Sequence, residues 1–175
     1  MKTMESVIED VLFCMCSALA TQTGWTGECC VVPAKPSLES CCTRDQDGDP
    51  VGFAWGRLVR AWPTRRFPQE DFRGQDFTCD DRSQWALLVE LGATICICAD
   101  MCGCEQKAQN AHDVLAVAEA GLQGAICCFT EGVCAGREYL VTGMQPLMQQ
   151  ADCGGFTIEL IIQYDLGCCP PDESP

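Results

Sequence analysis

The stretch Gln150-Ala-Asp-Cys-Gly-Gly-Phe-Thr-Ile-Glu-Leu-Ile-Ile-Gln-Tyr-Asp165 decides the fold class. Phe156, Ile158, Leu160, Ile162 and Tyr164 fall on alternate positions, with Thr157, Glu159, Ile161 and Gln163 between them. Period two is the mark of a strand with one face buried, and the glycine pair at 154–155 introduces it. Upstream, Tyr139–Met148 reads as a strand interrupted near Pro146, joined to the closing strand through a turn over 151–155 to make a hairpin. Further upstream, 85–98 is a long strand. Trp85, Leu87, Val89, Leu91, Ala93, Ile95 and Ile97 share one face, and Ala86, Leu88, Glu90, Gly92, Thr94, Cys96 and Cys98 the other. Gly92 marks a bulge or bend in it.

Two segments carry helical rather than strand spacing. In 5–20, Ile8, Leu12, Met15 and Leu19 recur at steps of four, three and four, and Glu5, Glu9 and Asp10 occupy the early turns, where the macrodipole favours acids. A break is expected over Thr21–Gly27. In 106–129, Ala108, Ala111, Leu115, Ala118, Leu122 and Ile126 trace a stripe, and Gly121 and Gly124 weaken the second half. Strands are expected at 28–33 and 51–62, the latter ended by Pro63. Loops are expected at 34–50 and 64–83, with turns at 99–105 and 131–136. The fold class expected from this order is α+β: a mainly antiparallel sheet with two principal helices packed on one face. Residues 1–166 form one domain and 167–175 a flexible tail.

Bulk properties narrow the function. The chain has 175 residues, a hydrophobic content of 47% and a net charge of −14. It is long enough for a sizeable core. With 11 basic against 25 acidic residues, it is poorly made to neutralise phosphates or to bind anionic membranes. No uninterrupted run approaches the ~20 apolar residues of a membrane span. Acids at Glu5, Glu9 and Asp10 interrupt a secretory h-region, so synthesis and assembly in a cytoplasm are expected.

Candidate chemistry is sparse. His112 is the single histidine; it sits mid-helix beside Asp113 and reads as a surface or half-buried structural residue. Paired carboxylates at Glu70-Asp71 and Asp80-Asp81 lie in polar loop sequence. The run Asp45–Pro50 resembles the opening of a calcium loop, but its twelfth position is Gly56 instead of the bidentate Glu that such a loop requires. The tract Thr64-Arg-Arg-Phe67 is the one basic cluster and suits a salt-bridged face or a subunit contact. No phosphate loop, zinc-protease or serine-hydrolase motif is present, and no cofactor is called for. The 17 cysteines are numerous and odd in count. Fourteen of them fall in adjacent pairs (29–30, 41–42, 127–128, 168–169) or pairs one residue apart (14/16, 96/98, 102/104), which suits neither zinc spacing nor a small secreted scaffold. Cys29, Cys30, Cys41 and Cys42 are the candidate disulfide or thiol cluster, able to meet if 31–40 is a hairpin. Cys14 and Cys16 read as small hydrophobes.

The order of parts resembles the tail terminator proteins of long-tailed (siphovirus-type) phages, particularly those of actinobacterial phages. The resemblance rests on Ser-Val-Ile-Glu-Asp-Val-Leu12, then Gly-Arg-Leu-Val-Arg-Ala-Trp-Pro-Thr-Arg-Arg-Phe-Pro68, the long strand Leu-Leu-Val-Glu-Leu-Gly-Ala-Thr-Ile-Cys96, the Ala-rich helix, and Met-Gln-Pro-Leu147 before Cys-Gly-Gly-Phe-Thr-Ile-Glu-Leu-Ile-Ile-Gln-Tyr164. It covers roughly residues 5–166; the cysteine count and the 63–84 loop depart from it. The resemblance implies a compact subunit that assembles into a hexameric ring in the virion neck. Such a ring caps the tail tube protein and meets the head-completion (stopper) protein, and DNA passes through it without specific binding. No reaction is catalysed, and the work is done by shape and by sheet-edge pairing between subunits. Glu159 and Gln163 are the candidate channel-lining residues. Competing readings are another neck or tail protein of stopper type, a Cys-rich redox or metal-binding module, and an enzyme of unrecognised type.

Overall fold

The computed structural model describes residues 3–36, 43–44, 50–70, 84–97, 104–150 and 153–165. Helix α1 (Met4–Thr23) opens on an N-cap, with the Ser6 amide donating to the Thr3 hydroxyl oxygen at 3.1 Å. It ends inside the expected break, after a last turn in which the Thr21 and Thr23 hydroxyls donate back to the Ser17 and Leu19 carbonyls. It stops at Gly24, whose φ of 70° is the left-handed geometry that glycine adopts without Cβ strain.

The strands are β1 (Glu28–Val31), β2 (Thr43–Arg44), β3 (Pro50–Val51), β4 (Phe53–Pro63), β5 (Gln84–Cys96), β6 (Tyr139–Gln150) and β7 (Cys153–Asp165); α2 spans Cys104–Thr130. Five of them form one sheet in the order β1-β4-β5-β7-β6, in which β1 alone is parallel to its neighbour. The fold is thus α+β with a mixed, mainly antiparallel sheet and two helices, as the sequence pattern implied. The expected 34–50 loop contains β2 and β3, which pair antiparallel around residues 45–49; those residues, with the calcium-like run, lie outside the described residues, as do 71–83, 98–103 and 166–175. The expected interruption at Pro146 is absent. β6 runs through it with register shifts at Val141/Gly143 and Leu147/Gln150, because β6 is a terminal strand, where a missing N–H is tolerated. The closing strand also starts earlier than expected, at Cys153, inside the stretch read as a turn.

Alternation puts Ala54, Leu87, Val89, Leu91, Ala93, Phe156, Ile158, Leu160, Ile162 and Tyr164 on one face, where they pack with Val7, Val11, Met15 and Leu19 of α1 and Val117, Ala118, Ala125 and Phe129 of α2. Each fully buried branched or aromatic side chain there contributes about 1.5–3 kcal/mol. The expected stripe of α2 needs correction. Ala108, Ala111 and Leu115 are exposed, Leu115 by 66%. Of the stripe, Ala118 is in the core and Leu122 packs against it, and the rest of the buried side is the run of small residues around Val117, Ala120, Gly121, Gly124, Ala125 and Cys128. Gly121 and Gly124, which weaken the helix by propensity, are where it comes closest to its neighbours. A Cβ on Gly121 would stand 2.3 Å from Cζ of Phe156, and one on Gly124 would stand 2.8 Å from the Cys14 carbonyl oxygen. Residues 107–130 of α2 are long and apolar enough by mean hydropathy to cross a membrane, yet 44% of that apolar stretch is buried within the fold.

Gly121→Ala should therefore destabilise the protein by about 1–3 kcal/mol through overpacking against Phe156, although alanine is favoured over glycine in a helix by about 1 kcal/mol. Urea denaturation reads the difference, and a variant as stable as the parent would show that α2 does not sit this close to β7.

Candidate functional site

The face of the sheet that carries no helix among the described residues is the candidate site. It divides into a closed half over β4 and β5 and an open half over β7 and β6. On the closed half, Gly92 is flat strand and not the expected bulge. Trp55 is its register partner, and the indole lies over it so closely that a Cβ would come within 2.2 Å of Cζ2. The glycine exists for the indole's approach. Next along β5, the Glu90 carboxylate is only 5% exposed. Three partners hold it there. Arg57 donates from Nε to Oε1 at 2.9 Å and from Nη2 to Oε2 at 3.1 Å; Trp55 donates from Nε1 to Oε1 at 3.3 Å; Lys35 Nζ stands 3.9 Å from Oε2. Burial alone would push the Glu90 carboxyl up, but the hydrogen bonds from Arg57 and Trp55 and the charges of Arg57 and Lys35 outweigh it and hold the group below the ordinary carboxylate value. Arg57 is correspondingly raised, chiefly by its hydrogen bond to Glu90. Beyond them, Trp62 donates from its indole to the Pro68 carbonyl at 3.1 Å, and the Arg60 guanidinium lies 5.5 Å from the Trp62 ring centroid. Arg60 also pairs with Glu70.

The open half carries both candidate channel residues. Glu159 is exposed and Gln163 is half-buried, and both project on the helix-free face of β7. Glu159 is the direct register partner of Glu90. Two carboxylates facing each other across strands repel. Arg57 hydrogen-bonds the inner one and lies close enough to feel the charge of both, whereas Glu159 is left exposed to solvent. One row further on, Leu88, Ile161 and Leu140 are register partners across three strands, and Leu140 is 43% exposed. The open half is therefore an exposed carboxylate beside a short apolar row and two amides, Gln163 and Gln145. Recognition by shape and charge is within its chemistry. The buried ion pair that shapes it was not singled out from sequence, although one acid inside the long apolar run Trp85–Ile97 was the signal for it.

The thiols are arranged otherwise than expected. Cys29 is disulfide-bonded to Cys16, which the spacing had assigned to packing, while Cys30 is an exposed free thiol and Cys41 and Cys42 lie outside the described residues. The proposed 29/30/41/42 cluster therefore does not hold for Cys29, whose strand is fastened to α1 instead. Cys96 and Cys153 are each disulfide-bonded as well. Cys14, Cys128 and Cys134 converge where α1 meets the end of α2. The Cys128 thiol donates to the Asp10 carbonyl at 3.5 Å, and hydrogen bonding with Cys134, burial and Cys14 push its ionisation far up, which makes it an unreactive thiol at neutral pH. Among the described residues no group of three or more His, Cys, Asp or Glu side chains is placed to hold a metal ion. His112 is 77% exposed at the side chain, 3.7 Å from Asp113. Arg65 and Arg66 are exposed on the turn after β4, beside Gln69 and Glu70. Comparison of the sequence with protein-family models and with curated proteins finds no match.

Arg57→Met leaves Glu90 buried without its main partner. The expected cost is about 2–4 kcal/mol, below the full value for a buried pair because Arg57 is partly exposed. The sign of the pH effect follows from the depressed carboxyl. The pair's contribution is fully present above the ordinary carboxylate value near 4.5 and is lost as pH falls through the lower folded-state value. Thermal melts across acid pH should show a steeper loss of stability for the parent than for Arg57→Met; parallel curves would assign no such role to the pair.

Proposed function

We propose that the chain is a structural subunit of a phage tail, of the tail-terminator kind: a ring, hexameric if the resemblance holds, that caps the tail tube, meets the head-completion protein and leaves a passage for DNA. The observation that carries this reading is the one-sided build of the subunit. Both helices lie on one face, and the other presents Glu159 exposed on its open half, in a chain whose net charge is −14. If that face turns inward, the wall of the passage repels phosphate, and DNA slides past with no sequence-independent attraction to hold it. The sheet ends in two terminal strands, β1 and β6, each offering a row of backbone groups to a neighbour. The exposed basic turn at Arg65 and Arg66 suits a contact with an acidic neighbouring copy. The disulfide between Cys16 and Cys29 fits a particle that leaves the cell, since such bonds persist in oxidising surroundings, virion surfaces among them. Ring assembly, tube capping and a channel role for Glu159 and Gln163 make one reading and are tested together.

Purified protein added to tubes of the cognate tail-tube protein should appear by negative stain as a ring at one tube end. Protein that neither binds tube ends nor forms rings at any concentration would dispose of the reading. Within it, Glu159→Lys should leave ring assembly intact and slow DNA release from assembled particles, measured by a DNA-binding dye; release at the parental rate would remove Glu159 from the channel wall.

A further inference from the structure

The two terminal strands run in opposite directions. β1 is parallel to β4, and each later neighbour in the order β4-β5-β7-β6 is antiparallel to the one before, so β6 points against β1. When such a sheet is repeated by rotation about an axis lying along its strands, β6 of one copy meets β1 of the next as an antiparallel pair, the more stable of the two ladder types. The charge pattern agrees. None of the residues from Tyr139 to Gln150 carries a formal charge, over a strand of 12 residues, and the four residues of β1 include a single acid, Glu28. In a chain of net charge −14, an uncharged edge lets two copies approach without local charge repulsion. β6 also leaves Leu140 and Met144 exposed by 43% and 42%. β1 is a prepared acceptor, since its other side is paired to β4 and the bond from Cys29 to Cys16 of α1 fastens it from behind.

We infer that β6 of one copy pairs antiparallel with β1 of a second copy, so that the sheet continues from subunit to subunit with its helix-free face on one side throughout. The inference rests on the ring reading above and adds the strand pair that builds the ring. A two-fold β6-to-β6 pairing is also antiparallel, but it consumes the uncharged edge twice, leaves β1 unused and stops at a dimer. Because β1 has only four residues, each joint is short. Stability then comes from closing the ring, where every copy is held on two sides.

The joint has an internal probe. Cys30, exposed and free on β1, stands in one cross-strand row with Trp55, Gly92, Thr157 and Gln145, all on the helix-free face. Across an antiparallel joint, facing Cβ atoms lie about 4.5–5.5 Å apart, within disulfide reach. Gln145→Cys covers a joint without stagger, and Leu140→Cys on the same face covers a staggered one; Met144→Cys on the opposite face is the control. Concentrated protein is oxidised with copper phenanthroline and run on non-reducing gels against the parent. The expected result is a ladder of covalent dimers, trimers and larger species for at least one helix-free-face variant, absent for Met144→Cys and abolished by Cys30→Ser. Dimers alone, or a ladder that survives Cys30→Ser, overturn the pairing. Rings by negative stain with no Cys30-dependent ladder overturn the strand pair while leaving the ring standing, and monomers at every concentration overturn both.

Discussion

Strand β5 is bound to β7 along the whole length of each, 13 residues, from Gln84–Asp165 to Cys96–Cys153 with no register shift. That unbroken ladder decides what every other part of the subunit meets. It places Leu87, Val89, Leu91 and Ala93 beside Phe156, Ile158, Leu160 and Ile162 under the helices. It also sends Glu90, Gly92 and Thr94 to the opposite side with Glu159, Thr157 and Gly155. A slip of one residue would exchange the two sets and bring Glu90 and Glu159 into the helix interface. Helix burial, the Trp55–Gly92 contact and the Glu90 ion pair all follow from the same register.

The helix side is closed by small residues instead of large ones. Gly124 of α2 rests on the α1 backbone at Cys14 and Gly121 rests on Phe156, so both helices reach one face of a five-stranded sheet without overhanging its edges. The opposite side is closed by polarity. Glu90 is buried there only because Arg57, Trp55 and Lys35 all converge on it. A buried carboxylate with three partners is costly to build by chance. Here Arg57 and Lys35 converge on the inner of two facing acids, and the outer one, Glu159, stands exposed.

A sheet with helices on one side has three outlets for contact: the bare face and its two terminal strands. In this chain the three differ in charge. The bare face shows an exposed acid, Glu159, the β6 edge carries none, and β1 carries one. Charge is thereby distributed unequally between the bare face and the two edges of the sheet, a division the proposed ring would use. The disulfide from Cys16 to Cys29 supports the same division by tying one of those edges to the helix layer.

Strand and helix identities were legible because they depend on periodicity: alternation in Phe156–Tyr164 and Trp85–Ile97, and three-to-four spacing in Ile8–Leu19, are local facts that the backbone obeys. That Glu159 and Gln163 share one face of their strand was legible for the same reason, since they have the same parity. Contacts between elements far apart in the chain were not. The stripe of α2 was misread because Leu115 is larger and more apolar than Gly121, whereas close packing against Phe156 selects the smaller residue. Cys16 was assigned to packing because nothing near it in the chain announces Cys29. Gly92 looked like a bend because the indole that needs it belongs to another strand. The sequence by itself determined which segments are strands and helices and which face of each strand is apolar, for these are properties of neighbours along the chain. Only the tertiary structure decided which acid is neutralised, which glycines are points of contact and which strands stand at the edges, because each of these depends on a partner brought in by the fold.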